Sequence, residues 1–280
     1  MKICETHMHA TTQLLRRPRV YWLDNEHEPL RRVHMHNTLA SSNVEHVAVP
    51  AHDAYADFAG NVTRANTLSH VRALRCIRKD VPKGQIAYVA ENTMSFEYVP
   101  YWTTDLRRIV CNAPADWGIL QLSYICGPTT ATIAREGKTV SEQRQCMDDP
   151  FHVEKSVMES KQAPYVPWNN ICTSGTTFYV VHPRGYKDIL KHVYRYKHDP
   201  LYSQQKIPRF HPDVDASHLF SLTTTYTFHL PMFSASCIPP SIHYMGDSCW
   251  YTEHKKRMDV LVQSWHNKYL KWKAHREQCQ

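Results

Sequence analysis

The sequence predicts an α/β fold in which a mainly parallel sheet is covered by helices on both faces. Short apolar segments that are typical of strands alternate with longer amphipathic segments that are typical of helices. Strands separated by helices imply crossover connections, which join parallel strands. The segment QIAYVA at 85–90 is apolar at almost every position, as expected for a strand buried on both faces.

A β-α-β unit opens the predicted fold, after an arm at residues 1–17 that shows no sustained periodicity. Its three parts are a strand RVYWLD at 19–24, a helix PLRRVHMHNTLA at 29–40 and a strand VEHVAV at 44–49. The helix is expected to turn its apolar residues Leu30, Val33 and Leu39 inward.

The alternation continues through the next segments. In order, they are a helix at 65–79, the strand at 85–90, a helical segment at 98–112 and a strand WGILQLSYI at 117–125. The first of these helices has an apolar stripe of Leu68, Val71, Leu74 and Ile77. We predict that the strands near residues 20, 46, 87 and 120 lie side by side.

Residues 126–174 interrupt this pattern, because they are polar and too numerous for an ordinary connection. They are either an insertion of the kind found at active sites or a surface excursion. The alternation of predicted strands and helices continues with a strand FYVVH at 178–182. Pro183 then opens a helix at 183–196, in the first-turn position that proline favours.

The composition excludes several classes of protein. Of the 280 residues, 42% are hydrophobic and 21% are charged, which is typical of a globular protein and not of collagen, a coiled coil or a disordered tail. The longest apolar run, Ile86 to Ala90, is far too short to cross a bilayer, and the first residues lack the apolar core of a signal peptide. The nine cysteines form no C-x-x-C pair, so reduced thiols are expected. We therefore predict a soluble protein that is not secreted.

Much of the net charge of +7 lies at the C-terminal end. Residues 253–280 are predicted to form an amphipathic helix, whose apolar face comprises Met258, Leu261, Val262, Trp265, Tyr269 and Trp272. Two interpretations stay open. The helix packs on the domain with a solvated basic back, or it binds an acidic protein partner or a polyanion. No specific recognition of nucleic acid is expected.

Common catalytic motifs are missing from the sequence. It contains no G-x-x-x-x-G-K-[ST], G-x-G-x-x-G, H-E-x-x-H or G-x-S-x-G, which argues against phosphate-loop, dinucleotide-binding, zincin and hydrolase chemistry. His-Met-His occurs at 7–9 and at 34–36. Side chains two residues apart on a helix point about 200° apart, so His34 and His36 do not share a metal ion. We interpret them as surface or boundary histidines.

Eight segments, taken in order along the chain, resemble segments of glycosyltransferase family 25. They are VYWLDNEHEPLRR (20–32), NVEHVAVPAHDA (43–54), LSHVRAL (68–74), IAYVAENTMSFEYVPYW (86–102), DWGILQLSYI (116–125), TTFYVVHPRGYKDIL (176–190), DVDASHLF (213–220) and PPSIHYMGD (239–247). Their common order is more specific than any single match. The resemblance places a family 25-like domain at 18–252, before the C-terminal helix.

The resemblance implies a GT-A fold, which is a Rossmann-like α/β sandwich. It also implies transfer of a sugar, often galactose, from a UDP-sugar with a divalent metal ion such as Mn²⁺. In such a site, carboxylates at the end of a strand hold the metal, which neutralises the diphosphate of the UDP leaving group. Because ligand sites of open α/β sheets lie at the carboxyl ends of strands, Asp53, Ser69 and Glu91 are expected to converge at one edge.

Residue by residue, the resemblance implies candidate roles. They are donor binding for Asp24, Arg31, Asp53, Ser69 and His70, metal binding for Glu91 and His243, and catalysis for Asp215. Other roles stay open for three of them. Ser69 and His70 could cap a helix that they open, or pack in the core, and Asp215 could cap the helical segment ASHLF that follows it.

The sequence departs from the family at the metal motif. Where the family has Glu-Asp-Asp, this chain has Glu91, Asn92 and Thr93, so two negative charges are lost. Glycines are also missing where the donor would lie, at Ala54 and at 64–65. The loss of two charges weakens the binding of a dication together with a diphosphate.

Two hypotheses about function follow. In the first, the chain keeps the fold, has lost metal-dependent transfer, needs no cofactor and serves a binding or structural role. In the second, it is an active transferase that uses a UDP-sugar, with cationic side chains in the role of the metal, or with Mn²⁺ if the metal site is functional. The segments TTTYTFHLPMF and SIH resemble those of family members carried by large DNA viruses, which implies a cytoplasmic or virion location.

Overall fold

The computed structural model of the chain describes residues 19–42, 44–126, 164–168, 173–199, 210–213, 215–235, 256, 258–267 and 270–271. Within them, a seven-stranded sheet is covered by helices on both faces. This architecture confirms the predicted α/β fold of Rossmann-like type. The predicted arm at 1–17 lies outside the described residues.

The elements of the described chain are as follows. The strands are β1 (Arg19–Asp24), β2 (Glu45–Pro50), β3 (Ala87–Ala90), β4 (Met94–Ser95), β5 (Ile119–Gln121), β6 (Ile125–Cys126), β7 (Tyr165–Pro167), β8 (Thr173–Ser174), β9 (Phe178–Val181), β10 (Thr225–Phe228) and β11 (Ser234–Ala235). The helices are α1 (Pro29–Ser41), α2 (Ala54–Phe58), α3 (Val62–Asp80), α4 (Leu106–Cys111) and α5 (Pro183–His198), with 3₁₀ helices at Val99–Tyr101 and Ala216–Leu222. A C-terminal helix runs over 258–267.

Strand order across the main sheet is β2-β1-β3-β9-β5-β10-β7. Strands β9 and β7 run opposite to the other five. The prediction that the strands near residues 20, 46, 87 and 120 lie side by side is therefore correct for the first three and wrong for the fourth. Strand β9 lies between β3 and β5. The sequence did not predict this position, because strand order depends on contacts between distant segments that local patterns do not encode.

Two predicted elements are shorter in the structure. The segment 98–112 is a 3₁₀ helix followed by α4, because Asp105 starts a new helix by accepting a hydrogen bond from the backbone N–H of Arg108 at 2.8 Å. The strand predicted at 117–125 is limited to β5 and β6. Within the interruption at 126–174, β7 joins the main sheet beside β10, and β8 pairs with β6.

Successive side chains of β1 point alternately to the two faces of the sheet. Tyr21 and Leu23 belong to the core under α3 and α5. Val20 and Trp22 belong to the core under α1 and α4. All four side chains are buried, as expected for a strand with helices on both sides.

Helix α1 corrects one sequence interpretation. Leu39 is buried as predicted, but Leu30 and Val33 are 69% and 57% exposed, and Met35 is the second buried anchor. At about 100° per residue, Leu30 lies about 180° from Leu39, and Val33 about 200° from Met35. The helix packs along its Met35–Leu39 line, so the other two apolar side chains point away from the sheet.

Helices α3 and α5 match their sequence signals. Asn61 caps α3 by accepting a hydrogen bond from the N–H of Arg64 at 2.9 Å, and the stripe of Val71, Leu74 and Ile77 is buried. Pro183 is the first residue of α5, as predicted. The local periodicity of these segments agrees with the tertiary fold, which is why their boundaries were predictable to within a few residues.

The C-terminal helix packs on the domain. Its buried residues Met258, Leu261 and Val262 form one cluster with Tyr98, Tyr124 and Val166, and Trp265 is partly buried against it. The hydroxyl of Tyr98 donates to Asp259 at 2.8 Å. The other two residues of the predicted stripe, Tyr269 and Trp272, lie outside the described side chains. Across the described residues, no helix is both long and apolar enough to cross a membrane.

We predict that Leu261→Ala lowers the free energy of unfolding by about 2 to 5 kcal/mol, because it leaves a cavity under the C-terminal helix. Leu261 is fully buried, whereas its neighbour Val260 is 54% exposed. Val260→Ala is therefore the matched control and should change stability by less than about 0.5 kcal/mol. Denaturant unfolding of both variants measures the difference. Equal effects of the two substitutions would contradict the observed packing.

Candidate functional site

Polar side chains collect where three parallel strands end. Asp24 is the last residue of β1, Asp53 follows β2 and Glu91 follows β3. Strand β9 runs the other way, so Thr176, just before it, reaches the same edge. Ligand sites of open α/β sheets lie at this kind of edge, which makes it the candidate site.

Glu91 is the centre of this edge. Its Oε1 accepts a hydrogen bond from the hydroxyl of Thr176 and lies 3.4 Å from Nε2 of His70. Asn66 gives a further side-chain hydrogen bond. Because a carboxylate only accepts, Nε2 of His70 carries the proton that faces it. The carboxylate is therefore held by side chains from α3 and from the segment before β9.

The ionisation of Glu91 reflects two opposing effects. Burial by itself would raise the pKa of the carboxyl group, because it disfavours the charged form. The hydrogen bond and charge attraction from His70, together with the hydrogen bonds from Thr176 and Asn66, outweigh burial and hold the pKa of Glu91 below its ordinary value. Glu91 is thus ionised at neutral pH and is compensated by the protein itself.

His70 extends the network into the core. Its side chain is fully buried, and its Nδ1 lies 3.2 Å from the hydroxyl of Tyr179 on β9. Burial, and then the charge of Glu91, raises the pKa of Tyr179, so the hydroxyl keeps its proton. A continuous hydrogen-bonded chain runs from Tyr179 through His70 to Glu91.

Ser69 and His70 do not open a helix, which corrects one of the interpretations left open above. Helix α3 begins at Val62, so both residues lie in its buried middle. The hydroxyl of Ser69 donates to the carbonyl of Ala65 at 2.7 Å and accepts from the N–H of His52 at 2.8 Å. Ser69 therefore holds the loop after β2 against α3.

Asp53 caps the short helix α2. One carboxylate oxygen accepts from the N–H groups of Tyr55 and Ala56, at 2.8 and 2.6 Å. The other lies 3.5 Å from Nε2 of His27. The hydrogen bond between Ser69 and His52 places this cap beside α3, so Asp53 and Ser69 lie at the same edge, as expected.

Asp24 and Arg31 belong to the loop and helix that follow β1. Asp24 accepts from Nε of Arg32 at 2.8 Å. Nη1 of Arg31 donates to Glu28 at 3.0 Å, and the same Glu28 oxygen accepts from the amide of Asn92 at 2.7 Å. Glu28 therefore links the segment after β1 to the segment after β3.

Asp215 is not brought into this network. Asp215 caps the 3₁₀ helix that starts at Ala216, by accepting from the N–H of Ser217 at 2.8 Å, as one interpretation predicted. Its described contacts do not reach Glu91. His243 lies outside the described residues.

Sequence reasoning missed four members of the site, which are Glu28, Asn66, Thr176 and Tyr179. Glu28 precedes Pro29 at the start of α1, where proline signals a helix start but nothing indicates a partner in Asn92. Thr176 and Tyr179 come from a segment distant in sequence from Glu91, and only the placement of β9 beside β3 brings them to it. No local pattern could have identified them.

The described residues do not fit a divalent metal with a diphosphate. Glu91 is the one acidic side chain of the expected motif, and its Oε1 already accepts two hydrogen bonds. Asn92 is neutral and donates its amide to Glu28. In the described part of the chain, no group of three or more His, Cys, Asp or Glu side chains could hold a metal ion. Hard divalent ions need several oxygen ligands, and two of the expected charges are missing here.

Comparison with known proteins adds no assignment: neither a scan against protein-family models nor a search of curated proteins finds a match to this chain.

We predict that Glu91→Gln lowers the free energy of unfolding at pH 7 by about 1 to 3 kcal/mol, because hydrogen bonds to the charged carboxylate are weakened. The pKa of Glu91 is lower in the folded than in the unfolded state, so its contribution is present above about pH 4.5 and is lost as the pH falls through the folded-state value. The difference between wild type and variant should therefore shrink towards pH 3, as measured by denaturant unfolding.

Glu26→Gln is the control for this experiment. The side chain of Glu26 is 78% exposed at the same end of the sheet, so its removal should have little effect at either pH. A difference between wild type and Glu91→Gln that stays constant with pH would contradict a role for the ionised carboxylate.

Proposed function

We propose that the chain is a divergent family 25-like glycosyltransferase that no longer transfers sugar from a UDP-sugar in a metal-dependent way, and that it serves as a binding or structural protein. One observation carries the proposal. At the end of β3, Glu91 is held by His70 and Thr176, and Asn92 donates to Glu28. Protein hydrogen bonds thus occupy the groups on which the family resemblance would place the metal.

Electrostatics supports this reading. A UDP leaving group carries negative charge on its diphosphate, and a dication between it and protein carboxylates makes the two compatible. Here the motif supplies one carboxylate, and side chains of the chain already compensate its charge. A dication would have to displace these hydrogen bonds and would gain fewer acidic ligands in return.

A particle-associated role is the finer part of the proposal. It is supported by the resemblance of residues 223–233 and of the SIH triplet to family members carried by large DNA viruses. Lys256 and Lys271, on either side of the packed C-terminal helix in the sequence, are exposed, where they can meet an acidic partner. The same proposal places the protein in the cytoplasm or in a virion.

Arg31 favours a second candidate function, that of a metal-independent transferase. Its side chain is only 14% exposed, and it pairs with Glu28 at the candidate edge. Its Nε is buried without a hydrogen-bond partner. A guanidinium can stabilise a leaving diphosphate where no metal is used.

We predict that UDP, if it binds, binds no more tightly when Mn²⁺ is added, and that transfer from UDP-galactose or UDP-glucose is not detected. Calorimetric titration of the full chain with UDP, in Mn²⁺ and in EDTA, measures the first quantity. The double variant Asn92→Asp with Thr93→Asp should bind Mn²⁺ more tightly than the wild type, because it restores two carboxylates to the motif.

Turnover assays separate the two candidates. Turnover by the wild-type chain that EDTA abolishes would overturn the proposed loss of metal-dependent transfer. Turnover that is insensitive to EDTA would instead support the metal-independent transferase, and Arg31→Gln should then reduce it by at least about tenfold. Arg108→Gln is the matched control, because this side chain is 75% exposed on α4.

A further inference from the structure

The fold brings together two histidines that are distant in the sequence. His36 lies on α1 and His46 on the edge strand β2, and Nδ1 of His36 is 3.4 Å from Nε2 of His46. Helical geometry separates His36 from His34, its neighbour in the His-Met-His triplet. The tertiary structure supplies a different partner for His36, on the adjacent strand.

The hydrogen bonds of His46 define its tautomer. Its Nδ1 lies 3.0 Å from the carbonyl oxygen of Val44. A carbonyl oxygen only accepts, so Nδ1 carries a proton, and the neutral ring has its lone pair on Nε2. That lone pair is on the nitrogen that faces His36. A ring nitrogen held in this way, by a hydrogen bond from the opposite nitrogen to a carbonyl, is the usual state of a metal-binding histidine.

The spacing of the two nitrogens suits a shared metal ion. Two nitrogens that are each about 2.05 Å from a tetrahedral zinc ion lie about 3.3 Å apart. The observed separation is 3.4 Å. Neutral His36 can present its Nδ1 lone pair by moving its proton to Nε2, which changes the tautomer and not the charge.

Surrounding contacts position the pair at the surface. The ring of His36 packs edge-on against Trp22, with centroids 5.3 Å apart, and the rings of His36 and His46 are 5.5 Å apart. His36 is exposed and His46 is half-buried. A metal ion can therefore reach both nitrogens and complete its coordination with water.

We propose that His36 and His46 form a two-histidine site for a divalent transition-metal ion such as Zn²⁺, Cu²⁺ or Ni²⁺. Imidazole ligands favour these ions over Mg²⁺ and Mn²⁺, which prefer oxygen. The site is separate from the Glu91 network and does not depend on the function proposed above. A bound ion would link α1 to β2 and stabilise the folded chain by mass action.

The test is calorimetric titration of the full chain with Zn²⁺ and with Cu²⁺. The parent for all variants has His7 and His9 replaced by Asn, so that the first His-Met-His triplet does not bind the metal. We expect His36→Asn and His46→Asn each to lower the affinity of the tightest site by at least about tenfold, because each removes one of two ligands. His34→Asn is the matched control and should bind as the parent does.

A spectroscopic measurement accompanies the titration. In the parent, one equivalent of Cu²⁺ should give an electron paramagnetic resonance spectrum with two coordinated imidazole nitrogens, and His36→Asn should reduce them to one. The exposed position of His36 makes this substitution compatible with folding. If His36→Asn keeps the parent's affinity and spectrum, or if Mn²⁺ binds as tightly as Zn²⁺, the proposed site is wrong.

Discussion

Burial of the central strands on both faces is the constraint on which the rest of the structure depends. Every residue of β3 and of β9 is buried, so these strands have no position for an unpaired polar side chain. Polar groups are instead concentrated where the strands begin and end. The partners of Glu91 come from α3, which packs on the sheet at this point, and from the residues just before β9.

The antiparallel placement of β9 determines the character of the candidate site. In a purely parallel sheet, the edge beyond β3 would receive only the ends of strands. Because β9 runs the other way, the residues at its start arrive at the same edge. Thr176 donates to Glu91, and Tyr179 hydrogen-bonds to His70, which faces the same carboxylate. The negative charge of Glu91 is stabilised here by hydrogen bonds from the chain. This arrangement supports the proposal that the chain has lost metal-dependent transfer.

Helix α1, which packs near the edge of the sheet, is held by few buried apolar side chains and by several polar and aromatic contacts. It is anchored by Met35 and Leu39, while two of its larger apolar side chains face solvent. Around this limited core contact, the helix is held by polar and aromatic contacts, among them His34 with the carbonyl of Met94 and His36 with Trp22 and His46. The start of α1 also supplies Glu28 and Arg31 to the candidate edge, so the position of this helix on the sheet determines where these two side chains lie.

The sequence by itself determined the elements whose periodicity is local. Strands β1, β2, β3 and β9 and helices α1, α3 and α5 lie within a few residues of their predicted positions. Asp53 and Glu91 follow parallel strands at one edge, as expected from strand ends. Ser69 reaches the loop after β2 from the middle of α3. Whether that edge binds a nucleotide-sugar remains a proposal that rests on the family resemblance.

The tertiary structure alone decided the order of the strands, the buried face of α1 and the partners of Glu91 and His36. Each of these depends on contacts between residues far apart in the chain, whereas helical and strand periodicity report only which face of a segment is apolar. Leu30 and Met35 illustrate the difference: both are apolar and on one helix, and only the position of the sheet determines which of them is buried.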